Sequence, residues 1–225
     1  MHTLSTENLV KTYTQAGVTT QVLKGVTYSF KAACSYAISG VSGTGKSTLL
    51  HLLAGIDQPT SGCVAYDNVN VCNMARTDKV NFLQQAIGLV FQDSHLIKEL
   101  TVIENVMLKA LIAGTAHQES FKKAMQMLEH VDLADKADHH PLSLSGGQQQ
   151  RVAVLRALFN QPHFLLGDEP TGNLDADNAH IVLELLVKGV NEGMGLIVCS
   201  HDPMVARAMH KRLVLERGIL VDDKQ

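Results

Sequence analysis

Three stretches of this chain combine residue types and spacings that suit phosphate chemistry. Gly40-Val41-Ser42-Gly43-Thr44-Gly45-Lys46-Ser47-Thr48 fits the pattern G-x-x-x-x-G-K-[ST]. Glycines let the backbone bend until successive N–H groups face phosphate oxygens, and the N-terminus of a following helix adds partial positive charge. In that setting Lys46 reaches the β- and γ-phosphates of a nucleotide and the Ser47 hydroxyl ligates Mg²⁺. Phe164-Leu165-Leu166-Gly167-Asp168-Glu169 is an apolar run ending in two carboxylates. Asp168 suits a Mg²⁺ ligand beside bound phosphates, and Glu169, on the alternate face of a strand, suits a base or orienting group for the attacking water. Leu144-Ser145-Gly146-Gly147-Gln148 sets Ser145 and Gln148 at capping-box spacing, which predicts a second helix N-terminus able to face phosphate.

Those residues need elements to hold them. Tyr36-Ala37-Ile38-Ser39 predicts a strand ahead of the glycine loop, and Leu49, Leu50, Leu52 and Leu53 predict a helix after it, closed by Gly55. From Leu4 to Phe30 the sequence reads as short strands with turns near Ala16-Gly17 and Lys24-Gly25. Cys63 to Tyr66 and Ile87 to Phe91 read as further strands, the latter leading to Gln92. The period then changes: Thr101-Val102-Ile103-Glu104 is a capping box, and Val102, Val106 and Ala110, followed by Phe121, Met125 and Leu128, recur at helical spacing. Buried strands are predicted at Phe164 to Gly167 and Leu196 to Cys199, flanking a helix with Ile181, Leu185 and Leu186 on its apolar side. The last strands fall at Arg212 to Leu215 and Ile219 to Val221. The expected fold is α/β: a P-loop core with a mainly parallel sheet, an antiparallel β subdomain, and an α-helical subdomain over 93–156 inserted in a single domain spanning 1–225.

Composition narrows the partners. With 19 basic and 22 acidic residues, net charge −3 and no long basic run, bulk binding of nucleic acid is not expected. No apolar run approaches the roughly 18 residues of a membrane-spanning helix, and Met1 to Glu7 has no signal-peptide pattern, so a cytosolic location is expected. Cys34, Cys63, Cys72 and Cys199 form no C-x-x-C pair and read as reduced packing thiols.

Taken together, Gly40 to Thr48, Gln92, Leu144 to Gln148, Phe164 to Glu169, Asn173-Leu174-Asp175 and His201 stand in the order and approximate spacing of ATP-binding cassette (ABC) ATPases, which the chain resembles over nearly its whole length. The resemblance implies ATP hydrolysis with Mg²⁺ in a head-to-tail homodimer. Each ATP would lie between one P-loop and the partner's Ser145, Gly146, Gly147 and Gln148. It implies that Tyr13 stacks on adenine with Val22 as a second contact, that Gln92 touches Mg²⁺ and the attacking water, that His201 contacts the γ-phosphate, and that Asp175 crosses the dimer interface. It also implies separate transmembrane permease subunits, docking in a cleft near Gln92 and the helical insertion, and a peripheral place on the cytoplasmic face of the inner membrane; the apolar Leu96, Ile97 and Leu100 after Gln92 fit either the lining of that cleft or plain core packing.

The run Asp168 to Asp175 is similar to the branch of lipoprotein-release, macrolide-export and cell-division ATPases. Gln148, where that branch often has Glu, and Leu155, at a usually small position, depart from it. Transport, transmembrane mechanical signalling of the cell-division type and a soluble role in translation or DNA repair share the nucleotide motifs. The third would ordinarily carry a second cassette or a long coiled coil, and neither occurs here.

Overall fold

The computed structural model describes residues 1–15 and 17–223. In chain order, strands β1 (Thr3–Gln15) and β2 (Val18–Lys31) pair antiparallel, and β3 (Ser35–Ser39) runs through the glycine loop into helix α1 (Lys46–Leu53). Strands β4 (Ser61–Tyr66) and β5 (Val69–Asn70) complete an antiparallel sheet of order β2-β1-β4-β5. Helix α2 (Arg76–Asn81) continues as a π-turn into β6 (Ile87–Val90). Helices α3 (Val102–Ile112), α4 (His117–Glu129) and α5 (Gly146–Leu158) follow, then β7 (Phe164–Asp168), α6 (Ala176–Asn191), β8 (Gly195–Cys199), α7 (Pro203–Ala208), β9 (Lys211–Glu216) and β10 (Ile219–Asp222). The second sheet has the order β10-β9-β3-β8-β7-β6, parallel throughout except for β10.

The continuous apolar runs of β3, β7 and β8 exist because this sheet is covered on both faces. Alternation along the strands divides them between two cores. Tyr36, Ile38, Phe164, Leu166, Ile197 and Cys199 pack with Leu49, Leu52 and Leu53 of α1 and with Leu4, Leu23 and Phe30 of the antiparallel sheet. Ala37, Leu165, Leu196 and Val198 face the other way, onto Val154 and Ala157 of α5 and Val182 and Leu186 of α6. Each such side chain taken fully out of water contributes about 1.5–3 kcal/mol, so a polar replacement at Leu166 or Val198 would break the sheet rather than trim it.

A third core joins α3, α4 and α5, with Val102, Val106, Met107, Ala124, Leu128, Val152 and Leu155 among its members. The Thr101–Glu104 capping box forms at the head of α3 as its spacing predicts. Helix α5 belongs to both sides: Val152, Ala153 and Leu155 face the helices, while Val154 and Ala157 face the sheet. Leu155, 3% exposed, is thus a core residue of the helical cluster.

Several expectations are corrected. The segment from Leu4 to Phe30 forms two long strands, not several short ones. The expected turn at Lys24-Gly25 is a bulge: Leu9 pairs with Val26 and Val10 with Lys24, Gly25 takes φ 97°, and Lys24 N–H donates to Gly218 O at 2.8 Å. Of the Ala16-Gly17 turn, Ala16 lies outside the described residues. Phe121 is 41% exposed, because α4 turns Ser120, Ala124 and Leu128 inward. Likewise α6 buries Ala179, Val182, Leu183 and Leu186, leaving Ile181 and Leu185 half-buried at the margin.

Candidate functional site

In an open parallel sheet, ligands sit beyond the carboxyl ends of the strands. Four strands deliver side chains to that edge here. Strand β3 ends at Ser39 and leads into the glycine loop, β7 ends at Asp168, β8 leads through Ser200 to His201, and β6 leads through Phe91 to Gln92. Parallel register between β7 and β8 sets Asp168 opposite Cys199, so Glu169 and His201 emerge side by side. The result is a concavity of about 830 Å³ lined by Val22, Gly40, Val41, Ser42, Gly43, Gly45, Lys46, Ser47, Thr48, Gln92, Asp168, Glu169 and His201.

The loop is shaped for an anion. Gly45 caps α1 in the left-handed region at φ 102°, and no side chain caps the helix, so its first N–H groups keep no side-chain partner. No acidic residue stands in the first turn of α1. A Cβ on Gly45 would lie 2.5 Å from Val22 Cγ1, and one on Gly40 would lie 2.6 Å from Leu215 O; hence these two positions need glycine for close approach as well as for backbone shape. Thr44 Oγ1 donates to Val41 O at 2.9 Å and pins the turn. Lys46 Nζ donates to Gly40 O at 2.8 Å and to Val41 O at 3.3 Å, which keeps the ammonium over the cradle.

Opposite the loop, His201 Nδ1 donates to Glu169 Oε1 at 2.8 Å, while Glu169 Oε2 is buried without a partner among the described residues. Glu169 also has φ 48°, a left-handed conformation that costs a non-glycine residue about 1–2 kcal/mol. Its N–H donates to Cys199 O at 2.8 Å, which fixes that conformation between β7 and β8. Backbone strain held by the surrounding structure at a cleft is a mark of a positioned functional group. The hydrogen bond and the negative charge of Glu169 raise the His201 imidazole above its ordinary range. Burial pushes the neighbouring Cys199 thiol far up and keeps it an inert packing group.

Gln92 Nε2 donates to Asn173 Oδ1 at 3.0 Å, and Asn173 Nδ2 donates to Asp93 Oδ1 at 3.2 Å. This clasp joins the segment after β6 to the segment after Glu169. Ser47, Asp168, Gln92 and Glu169, all lining the concavity, carry side-chain oxygens, the donor type that a hard cation such as Mg²⁺ takes. The residues present therefore fit a Mg²⁺–nucleotide.

The remaining sequence candidates lie off this concavity. Ser145 caps α5: its Oγ accepts from Gln148 N–H at 3.3 Å, and Gln148 Oε1 accepts from Ser145 N–H at 2.9 Å. Gly146 is open, whereas a Cβ on Gly147 would lie 2.3 Å from Asn178 Cγ. Asp175 caps α6, accepting from Asn178 N–H and Nδ2 at 2.9 Å each, and the Asn178 N–H holds its carboxyl below the usual range. The Ser145 turn and the Asp175 turn are therefore neighbours in one chain, away from its own P-loop.

Tyr13, expected at the adenine, does not line the concavity: its hydroxyl donates to Asp57 Oδ2 at 2.9 Å and the Lys11 ammonium sits 4.8 Å from its ring centre. A separate groove of about 350 Å³ runs between Gln92, Leu96, Leu142, Gly146 and Leu174. Sequence reasoning also missed the contacts made by Gln149, Gln150 and Arg156, since nothing local marks a polar side chain whose partner, the Ser94 hydroxyl for Gln149 and backbone carbonyls for the other two, lies 55 to 62 residues away.

Comparison with known proteins agrees with this geometry. The family model described as "ABC transporter" matches residues 23–172. Two lipoprotein-releasing system ATP-binding proteins LolD, from Legionella pneumophila strains Lens and Paris, are 43% and 42% identical over 219 residues, which is 96% of this chain and 96% of each relative. Among solved structures, the dimeric form of the bacterial ABC transporter cassette MJ0796 superposes with TM-score 0.90 at 36% identity, covering 96% of both chains. A dimeric post-hydrolysis state of MJ0796 bound to ADP and Pi superposes with TM-score 0.89 at 34% identity, covering 97% of this chain and 98% of that one.

Proposed function

The chain belongs to the ABC transporter ATP-binding family, and from that premise we propose that it is the ATPase subunit of a lipoprotein-releasing type of transporter, closing as an ATP-dependent homodimer to move separate permease subunits. As a unit of function, the helical segment 93–156 is a subdomain inserted in one ATPase domain. The observation that carries the reading is the convergence of Lys46, Asp168, Glu169, Gln92 and His201 on one 830 Å³ concavity.

Chemistry follows from the placement. Lys46 and the N–H groups of the loop bind phosphate oxygens. Ser47, Gln92 and Asp168 would hold Mg²⁺, which when bound supplies neutralisation of phosphate charge. Glu169, lining the concavity, acts as acceptor for the attacking water, and His201 steadies its carboxylate through Oε1. Phosphoryl transfer asks mainly for positioning and charge stabilisation, which this arrangement divides among residues from four strand ends.

The concavity of one chain faces a second wall supplied by another copy. The capped Ser145 turn, with Gly146 open and the Ser145 hydroxyl hydrogen free to be donated, supplies that wall from a second copy. Asp175, beside that turn, then sits at the interface. Among the described residues no helix is long and apolar enough to cross a membrane, so membrane work needs partner subunits and this chain sits peripherally against them. The groove between Gln92, Leu96 and Leu142 suits docking of a permease helix: Leu142 is 75% exposed there and the buried Leu96 also lines it, whereas Ile97 and Leu100 lie outside it. Copurification from solubilised membranes, with lipoprotein release measured on the recovered complex, tests the assignment; recovery without any permease would count against it.

A further inference from the structure

Helix α5 does more than display the Ser145 turn. Its residue Gln150 is only 2% exposed, and its Nε2 donates to Phe91 O at 2.8 Å and to Pro170 O at 2.9 Å. Phe91 immediately precedes Gln92, and Pro170 immediately follows Glu169. A single buried amide thus spends both of its hydrogens on the two carbonyls that flank the water-facing residues. Neighbouring side chains hold the same segment from the same helix: Ser94 Oγ donates to Gln149 Oε1 at 3.3 Å, and Arg156 donates to Ser94 O and His95 O at 2.8 Å each.

We infer that Gln150 is a positioning residue for hydrolysis, fixing Gln92 and Glu169 of its own chain through their adjacent carbonyls and coupling them to the helix that carries the Ser145 turn. The inference rests on the ATPase reading above. It follows from bond geometry: Glu169 is held at φ 48°, a conformation its own side chain does not favour, and the Cys199 O contact restrains only its N–H side. On the other side Glu169 O accepts from Gly172 N–H at 3.0 Å, and the Gln150 bond to Pro170 O holds the turn that this contact closes. Loss of the amide takes the shared donor from the buried Pro170 contact and the part-buried Phe91 contact and frees both catalytic segments at once. Because the P-loop lies on β3 and α1, which Gln150 does not touch, substrate binding should survive the loss.

The test compares wild type with Gln150→Leu and Gln150→Glu. Steady-state ATPase is expected to lose about tenfold or more in kcat for Gln150→Leu, with KM for ATP within about threefold. Amide hydrogen exchange, which needs no turnover and so stands apart from the ATPase reading, should speed up in peptides spanning 88–96 and 166–174 but not in 102–128. Gln150→Glu guards against misfolding of the apolar variant: its carboxyl donates only when protonated, so its kcat relative to wild type should be higher at pH 6 than at pH 8. Unchanged exchange in both segments, faster exchange throughout the chain, a loss expressed in KM alone, or wild-type kcat for Gln150→Glu at both pH values would each overturn the inference.

Discussion

Glu169 and His201 emerge from adjacent parallel strands and meet at 2.8 Å, leaving the second carboxylate oxygen of Glu169 buried and unpartnered among the described residues. A buried oxygen with no donor is costly, so the fold holds this carboxylate beside the cleft against its solvation preference, as it does the backbone at φ 48°. Glu169→Gln preserves shape and the contact to His201 but removes the charge. Turnover should fall by roughly 10²–10⁴-fold while nucleotide affinity stays near wild type, as a single-turnover assay with a parallel binding titration would reveal. Turnover within a few-fold of wild type removes Glu169 from the role.

The same contact makes a pH prediction. Because Glu169 raises the His201 pKa, the stabilising contact is fully present below the ordinary imidazole value and is lost as pH rises through the raised value in the folded protein. NMR titration of His201 should give a higher midpoint in wild type than in Glu169→Gln. Equal midpoints would show that the carboxylate does not govern the imidazole.

Adjacent glycines at the head of α5 should behave differently. A Cβ at Gly147 must push Asn178 off Asp175, so Gly147→Ala should cost about 1–3 kcal/mol in denaturant melts. Gly146 has nothing within 4 Å, so Gly146→Ala should change stability by no more than about 0.5 kcal/mol and any loss should appear in dimer closure. Equal stability losses at the two sites would contradict the assignment of Gly147 to an intramolecular contact.

Lys109 on α3 donates to Ile87 O at 2.8 Å, closing the open edge of β6, and burial lowers its pKa to about 8. For a base depressed on folding, the unfolded chain binds more protons between pH 8 and the ordinary lysine value, so stability attributable to Lys109 rises with pH across that window. Wild type should therefore gain on Lys109→Met between about pH 8 and pH 10. A constant difference across that range would mean Lys109 titrates normally in the fold.

Much of this architecture was legible because its signals are local. The Gly40–Thr48 loop, the apolar run to Asp168 and the capping boxes at Thr101 and Ser145 each need only neighbouring residues, and each forms as its spacing requires. What sequence could not supply is set across the fold. The Lys24-Gly25 dipeptide reads as a turn by composition, yet pairing with β1 and the Gly218 carbonyl make it a bulge. Phe121 has helical spacing but sits one position off the face that α3 covers. Tyr13 and Lys11 both bond to Asp57, 44 and 46 residues on, a pairing that no local pattern reveals. The grip of Gln150 on Phe91 and Pro170 is of the same kind, visible only when three distant segments are brought together.

The central claim is that each ATP is held by Lys46 of one chain and the Ser145 turn of another. Lys46→Ala and Ser145→Arg should each be inactive as homodimers, one lacking the phosphate clamp and the other its opposing wall. Mixed in equal amounts, they form heterodimers in which the intact Lys46 of one chain meets the intact Ser145 of the other. ATPase activity measured on that mixture should rise well above either variant alone; a mixture no more active than its components would contradict the shared site.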